Sequence, residues 1–356
     1  MKKYSPLPTM GDVARHAGVS PATVARVLYE PEKVSLEKRT IVQEALKATG
    51  YRPNAAARGL RTQRSGTIGL VVVDGTLNPF FSQLSQAIRN EALERGYNVL
   101  MFQHGMKPER EAKAVTQLLQ QRADAVIFAY GVNAEGMAPL LQAGIPVVQI
   151  EQEVCAGTDA VLIDPVVGIN AAVEHLCTLG HERIAFIGGD PALYDRPRVH
   201  GTSMDEDRLD AFRAAVRKHG ASEDDALIRL GLYFTTTGDD PAQAGREMMH
   251  ALLQAPRRPT AVLASGDILA AGALQALGEA GLSVPGDMSV IGFDNSIANL
   301  LNPPLSSIGR PLVDIGRCAL DLVVNAINGQ DNNSEPNRIT FPTELVLRHS
   351  TRKRRA

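Results

Sequence analysis

Residues Thr9 to Leu60 constrain this chain most, because helix starts, helix stops and apolar spacing can all be read from them. Met10, Val13, Ala14 and Ala17 fall at i, i+3, i+4 and i+7, one apolar face of a helix. Thr9 stands at the N-cap with Asp12 three residues on, a variant of the capping box. Gly18 then turns the chain. Ser20 caps a second helix with Pro21 at its first position, where a missing N–H costs nothing. That helix buries Val24, Val27 and Leu28 and points Ala22, Thr23 and Arg26 the other way. Two short helices about a tight Ala17-Gly18-Val19 turn form a helix-turn-helix, whose second helix enters the major groove of DNA. The run as a whole parses as three short helices and a weaker fourth.

Charge points to a nucleic-acid partner for this segment alone. The chain is near neutral at −2, yet residues 1–65 carry 12 Lys and Arg against 5 Asp and Glu, and the remainder 25 against 34. A basic head on an acidic body is an electrostatic footprint for phosphate, with the body repelled from the duplex. A small helical adaptor with a solvated basic face is the competing reading.

Beyond Thr67, short apolar runs alternate with amphipathic stretches. Strands are expected at Thr67–Val73, Asn98–Phe102, Ala125–Phe128, Pro146–Ile150, Ala160–Ile163, Ile184–Ile187, Ala261–Ala264 and Ser289–Phe293, with helical patterns between them. Apolar runs that are continuous rather than alternating imply sheets covered on both faces, a parallel α/β architecture. Binding sites in such sheets lie beyond the carboxyl ends of the strands. The candidate segments are therefore 74–81, 149–151, 190–208, 265–267 and 294–295. At 356 residues the chain has room for two or three domains. MKKYSPLPTM has charge but no apolar core, so no signal peptide is expected, and no run approaches membrane-spanning length. Cys155, Cys177 and Cys318 are isolated and share no metal spacing, which fits buried structural thiols in a reduced cytoplasm.

The ordered set of motifs resembles the lactose/galactose repressor (LacI/GalR) family of bacterial transcription regulators along essentially the whole chain. Its marks are D-V-A-x-x-A-G-V-S at Asp12–Ser20, T-V-x-R-V-L at Thr23–Leu28 and G-Y-x-P-N-x-x-A-R-x-L at Gly50–Leu60. In the body come N-P-F-F at Asn78–Phe81, L-G-H-x-R-I at Leu179–Ile184, S-V-I-G-F-D at Ser289–Asp294 and P-P-L at Pro303–Leu305. The resemblance implies a small all-α helix-turn-helix head over residues 1–51, a hinge helix and linker over 52–65, and a periplasmic-binding-protein-like α/β body over 66–350. That body would have two parallel-sheet subdomains crossed three times by the chain: 66–163 with 305–328, and 164–302 with 338–350. A basic tail over 351–356 is expected to be merely solvated. Lacking leucine heptads at its end, the chain is expected to form a homodimer holding two heads over a pseudo-palindromic operator.

Residue by residue, the resemblance assigns Pro21, Ala22 and Arg26 to base readout. A guanidinium at Arg26 can bridge guanine O6 and N7, and a phosphate contact is the alternative. Ser20 and Thr23 match members that set register on phosphates. Ala25 and Tyr29 depart from the Ser and Asn common in the family. The segment NAAARGLR at Asn54–Arg61 matches the hinge helix; with Gly59 inside so short a run, it should be largely unfolded alone. Leu60 matches the family's wedge in the minor groove, and Arg61 tracks the flanking groove. A flexible tether is the plainer reading of that stretch. Thr9, Asn54 and Ala57 complete the expected DNA-facing set.

In the body the matching cleft positions are Phe80, Glu151, Arg208, Asp267, Asp294, Asn295 and Arg310. Carboxylates and arginines about a buried ligand suit polyhydroxylated molecules through bidentate hydrogen bonds. Phe80 also reads as plain core, and Asp294 as a strand-end turn. Gly266 stands where the family often has Asn, which makes room. Arg196 and Arg198 hint at an anionic effector such as a sugar acid or sugar phosphate, with a solvated loop charge the plainer reading, and a purine- or nucleoside-responsive regulator is a further alternative. His181 reads as a helix C-terminal residue. The chain offers no Ser–His–Asp order, metal spacing or phosphate-cradling loop. An enzyme, a cofactor or a metal is therefore not expected, and a transport receptor fails for want of a signal peptide.

Overall fold

The computed structural model describes residues 8–52, 64–73, 78–193, 199, 203–231, 241–330 and 335–354. The chain divides into two compact units, Met1–Ser65 and Gly66–Ala356.

The described residues of the first unit form three α-helices, α1 (Met10–Ala17), α2 (Pro21–Tyr29) and α3 (Leu36–Thr49). The expected capping box is formed: the Asp12 backbone N–H donates to Thr9 Oγ1 at 3.3 Å, and the Thr9 N–H donates to the Asp12 carboxylate at 2.9 Å. Gly18 ends α1 with φ 64°, a left-handed turn that costs glycine little. Ser20 caps α2 by accepting from the Thr23 N–H at 3.2 Å. Val13, Ala14, Val24, Val27, Val42 and Ala45 bury themselves together, with Leu28 half-buried at their edge. The third helix is the longest of the three rather than a short one. Asn54, Ala57, Leu60 and Arg61 lie outside the described residues.

The second unit contains twelve described strands. They are β1 (Thr67–Val72), β2 (Asn98–Gln103), β3 (Ala125–Ala129), β4 (Val147–Ile150), β5 (Asp159–Asp164), β6 (Ile184–Gly189), β7 (Ile228–Gly231), β8 (Ala261–Ala264), β9 (Ser289–Asp294), β10 (Ser306–Gly309), β11 (Arg338–Pro342) and β12 (Glu344–Val346). They form two six-stranded sheets, β11-β5-β4-β3-β1-β2 and β12-β10-β9-β8-β6-β7. Every pairing is parallel except that of β10 with β12. Strand β3 shows why its sequence reads as an unbroken apolar run. Ala125, Ile127 and Ala129 pack beneath the helices Pro79–Glu94 and Leu312–Ile327, while Val126 and Phe128 pack under the helices Pro108–Gln120 and Ala134–Gln142 on the opposite face. The second sheet repeats the arrangement between the helices Val166–Thr178 and Met204–His219 on one side and Pro241–Leu253 and Asp267–Glu279 on the other.

All eight expected strands are present, each within two residues of its expected ends. The crossing points differ from expectation. Ser306–Gly309 pairs with β9 in the second sheet, and only the helix Leu312–Ile327 after it returns to the first. Arg338–Pro342 pairs with β5 in the first sheet, so the return to the second comes at Thr343. Short polar strands such as SSIG carry no hydrophobic pattern, because their polar atoms are satisfied by neighbours: Ser306 Oγ accepts from the Arg348 N–H at 2.9 Å. Thr343 ties two crossings together, its N–H donating to the Asp164 carbonyl at 3.2 Å and its hydroxyl accepting from the Gly168 N–H at 3.1 Å.

The segment 351–354 is not a solvated tail. His181, expected only to end a helix, is buried; it approaches Thr260 Oγ1 at 2.9 Å, Ser289 Oγ at 3.0 Å and the Arg352 carbonyl at 3.0 Å. The Arg354 N–H donates to the Leu179 carbonyl at 2.8 Å. Side chains add to this anchoring: Thr351 Oγ1 lies 3.0 Å from His175 Nε2, and the Arg354 guanidinium 3.6 Å from the Glu182 carboxylate.

Candidate functional site

The head presents one surface built by its capping geometry. Val24 and Val27 face the core, which turns Pro21, Ala22 and Arg26 to solvent on the opposite face of α2. Thr9 and Ser20 are exposed, Thr23 is half-buried, and the Ser20 and Thr23 hydroxyls lie 2.9 Å apart. A helix that offers a long guanidinium between small residues fits a groove.

The body holds a different kind of site, where the carboxyl ends of the two sheets meet. Glu151 follows β4 with φ 73°, and Asp294 ends β9 with φ 97°, followed by Asn295 at 52°. Left-handed backbone at non-glycine residues costs on the order of 1 kcal/mol or more and persists where surroundings impose it. Here it aims two carboxylates at one another's neighbourhood. Between them stands Arg310, at the crossing after β10, donating to Glu151 Oε1 at 2.6 Å and to Asp294 Oδ1. Arg208, from the helix Met204–His219, donates to the Ser265 carbonyl at 2.8 Å and reaches Glu151 Oε1 at 3.4 Å. The result is a buried ladder, Arg208–Glu151–Arg310–Asp294, joining groups of the first sheet to groups of the second.

Four charges can be buried only if they neutralise one another, since an unpaired one would cost several kcal/mol. Aromatic faces add to the arrangement. Arg310 lies 3.7 Å from the Phe80 ring centre, and Arg208 4.2 Å from that of Phe293. Phe80 is therefore both core, wholly buried and edge-on to Phe81, and a floor for the ladder.

Asp267 and Asn295 have other partners. The Asp267 carboxylate accepts from the Ser307 hydroxyl at 2.6 Å and from the Ser296 and Ile297 N–H groups at 2.7 and 3.2 Å. It thereby fixes the turn that carries Asp294. Burial, and next the charge of Asp294, push its carboxyl up to about 6 against the pull of those hydrogen bonds. Asn295 accepts from Arg348 at 2.6 Å through its side chain, so it faces that arginine rather than the ladder. A Cβ at Gly266 would stand 3.7 Å from the Asp294 carboxylate, an ordinary contact.

The pattern N-P-F-F was visible in the sequence, yet Asn78 itself was not among the expected site residues. Its Oδ1 caps the helix Pro79–Glu94 by accepting from the Phe80 N–H at 2.9 Å, while its Nδ2 donates to Asp294 Oδ2 at 3.1 Å. Phe293 was also missed, since a strand-end aromatic gives no sequence signal, whereas Ser265 lies in the expected segment 265–267 and contributes its carbonyl. Arg196 and Arg198 fall outside the described residues. Beside the ladder lies a cavity of about 480 Å³, reached along Leu162–Val166, Met204 and the outer face of the helix that carries Arg208.

Comparison with known proteins places both regions. The description "bacterial regulatory proteins, lacI family" matches residues 9–54, and that of a periplasmic binding protein-like domain matches 173–351. The HTH-type transcriptional regulator DegA of Bacillus subtilis (strain 168) is 34% identical over 349 residues, covering 96% of this chain and 98% of its own. Among solved structures, the Lac repressor dimer bound to operator and the anti-inducer ONPF superposes with a TM-score of 0.79 at 28% identity, covering 98% of this chain and all of that one. A transcriptional regulator CelR–cellobiose complex superposes with a TM-score of 0.66 at 29% identity, covering 96% and 99%.

Proposed function

The chain belongs to the LacI family of bacterial regulatory proteins, and from that premise we propose that it is a repressor whose grip on a pseudo-palindromic operator is set by a small polyhydroxylated effector in the body's cleft. The observation that carries this reading is the buried ladder, because it places hydrogen-bonding charge where two sheets approach and can be pulled together or apart. A ligand hydroxyl pair can replace one rung on each side. An effector that does so better in one arrangement of the sheets shifts the population by its differential affinity, which must amount to a few kcal/mol to switch a promoter.

In this reading Glu151, Arg208, Asp294 and Arg310 touch the effector, Phe80 and Phe293 floor it, and Asp267 and Asn295 position the turn around Asp294. Arg26 reads base edges, with Pro21 and Ala22 admitting α2 to the groove. Thr9, Ser20 and Thr23 set its register on phosphates. Asn54, Ala57, Leu60 and Arg61 form the hinge that folds on DNA when two subunits bring their hinges together. The working unit is a homodimer, as the Lac repressor is on its operator. We assign the chain no catalytic reaction and a cytoplasmic place; no helix among the described residues is long and apolar enough to cross a membrane.

A gel shift on DNA from upstream of the protein's own gene tests the reading. A discrete complex at nanomolar chain should weaken markedly for Leu60→Ala, without loss of ligand-induced thermal stabilisation. Equal operator affinity in the variant would remove the hinge assignment, and no complex on any two-fold related sequence would remove the function.

A further inference from the structure

On the reading of the cleft as the effector site, we propose that Gln83 is the positioning residue through which the turn after β9 sets the first sheet against the second. It adds to that reading the contact by which occupancy of the cleft is passed toward the head.

The turn at 294–297 is fixed from the side of its own sheet. Asp267 holds the Ser296 and Ile297 N–H groups, and the Asn295 N–H donates to the Ser307 hydroxyl at 3.1 Å. Toward the first sheet the turn offers two acceptors. Asp294 Oδ2 accepts from Asn78 Nδ2, and the Ser296 carbonyl accepts from Gln83 Nε2 at 2.7 Å. Both donors stand at the start of the helix Pro79–Glu94, Asn78 as its N-cap and Gln83 in its second turn. That helix is seated in the first sheet's core by Phe81, Leu84 and Ile88. The helix Leu312–Ile327 packs so closely on it that a Cβ at Gly316 would stand 3.3 Å from the Ile88 nitrogen. Seated in this way, the helix moves with its sheet.

The chain from the head joins the same sheet. Gly66 opens the body, its N–H donating to Asp124 at 2.7 Å and its carbonyl accepting from the Asn98 N–H at 2.8 Å, and β1 runs from there toward Asn78. A signal that starts at Arg208 or Asp294, on the second sheet, crosses between the sheets on its way to that junction. Asn78 and Glu151 make such crossings, but both also hold charged members of the ladder. Gln83 instead meets a backbone carbonyl, so it is separable from ligand contact. Its bond spans 213 residues and lies outside both strand ladders. Rotation of the sheets about their crossings stretches it, and a hydrogen bond is lost beyond about 3.5 Å. A bond made in one arrangement and broken in the other biases the pair, which is what coupling between two sites requires.

The test compares the full-length wild type with Gln83→Met, Gln83→Glu and Gln83→His at about pH 8, where an ordinary histidine is neutral. Met keeps the length without a donor, Glu sets an acceptor against the carbonyl, and His restores an N–H. Far-UV circular dichroism checks that each variant is folded. The first reading is affinity for DNA from upstream of the protein's own gene. Gln83→Met should change it about threefold to tenfold, the span of one net hydrogen bond, with Gln83→Glu at least as far in the same direction and Gln83→His within about twofold of wild type. Weaker binding assigns the grip to the arrangement with the bond made, tighter binding to the other. The second reading is amide exchange by mass spectrometry, without DNA. Residues 79–84 and 294–300 should together exchange about threefold faster or more in Gln83→Met and Gln83→Glu, and at the wild-type rate in Gln83→His, with β2 unchanged in all. Affinity equal to wild type in Gln83→Met, a Gln83→His variant as altered as Gln83→Met, or faster exchange in only one of the two segments overturns the inference and leaves the cleft as the effector site. Absence of any complex for the wild type overturns the reading as a repressor, while the exchange experiment still decides whether Gln83 joins the two segments.

Discussion

The helical head and the charge ladder of the body solve opposite problems. The caps and the turn that set the head's helices are local: Thr9 with Asp12, Ser20 with Thr23, Gly18 after Ala17. Among the head's described residues no charged side chain is buried. The ladder joins Glu151 to Arg310 across 159 residues and Arg208 to Glu151 across 57, and all its members are buried. A surface that must meet a polyanion keeps its charges in water and its shape in short-range caps. A site that must respond to a small molecule buries charges that only the fold can pair.

Glu151→Ala should have the largest effect. It strips Arg208 and Arg310 of a shared partner, and breaking a buried pair from one side costs about 3–5 kcal/mol. Urea unfolding of the body should report that loss, with the head's DNA contacts unaffected at low denaturant; a loss under 1 kcal/mol would mean the ladder is solvated and the contrast false.

A buried acid outside the ladder sharpens the same contrast. Glu111 accepts from the Val132 N–H at 2.7 Å and from the Asn133 N–H at 3.4 Å, and burial pushes its carboxyl up to about 7 despite them. Its folded value lies above its unfolded one, so the folded chain holds a proton that the unfolded chain releases. The stabilisation is complete below about 4.5 and is lost as pH rises through about 7. Relative to Glu111→Gln, the wild-type body should gain on the order of 3 kcal/mol between pH 8 and pH 5. Parallel pH profiles for the two would refute the burial argument. The head, whose described residues bury no charged side chain, should show no such slope between pH 8 and pH 5.

Smaller effects belong to the head. Val24→Ala removes two methyl groups from its core and should cost about 2 kcal/mol, read as faster amide exchange in residues 9–51 with the body's exchange unchanged. Ser20→Ala removes one cap and should cost about 1 kcal/mol in the same measurement. A cap loss larger than the core loss would mean that α2 is held from its end rather than its face.

What was legible in the sequence follows the same division. Caps, turns and eight strands could be read because each is announced within a few residues. Strands β7, β10, β11 and β12 were missed because their side chains are short, polar or alternating and make no continuous apolar run. The site was half legible. Glu151, Arg208, Asp294 and Arg310 came from motif resemblance, but their mutual pairing did not, since nothing local links position 151 to 310. Asp267 and Asn295, also expected from the motifs, are engaged by Ser307 and Arg348, partners that no local pattern announces.

Coupling between cleft and operator is what makes the chain a switch. The most direct measurement is operator affinity by fluorescence anisotropy, with and without a ligand that raises the melting temperature of the chain, for wild type and Arg208→Ala. A shift of at least about tenfold in the wild type, absent from Arg208→Ala, is the predicted result. A ligand that stabilises the wild-type chain yet leaves operator affinity unmoved would contradict it.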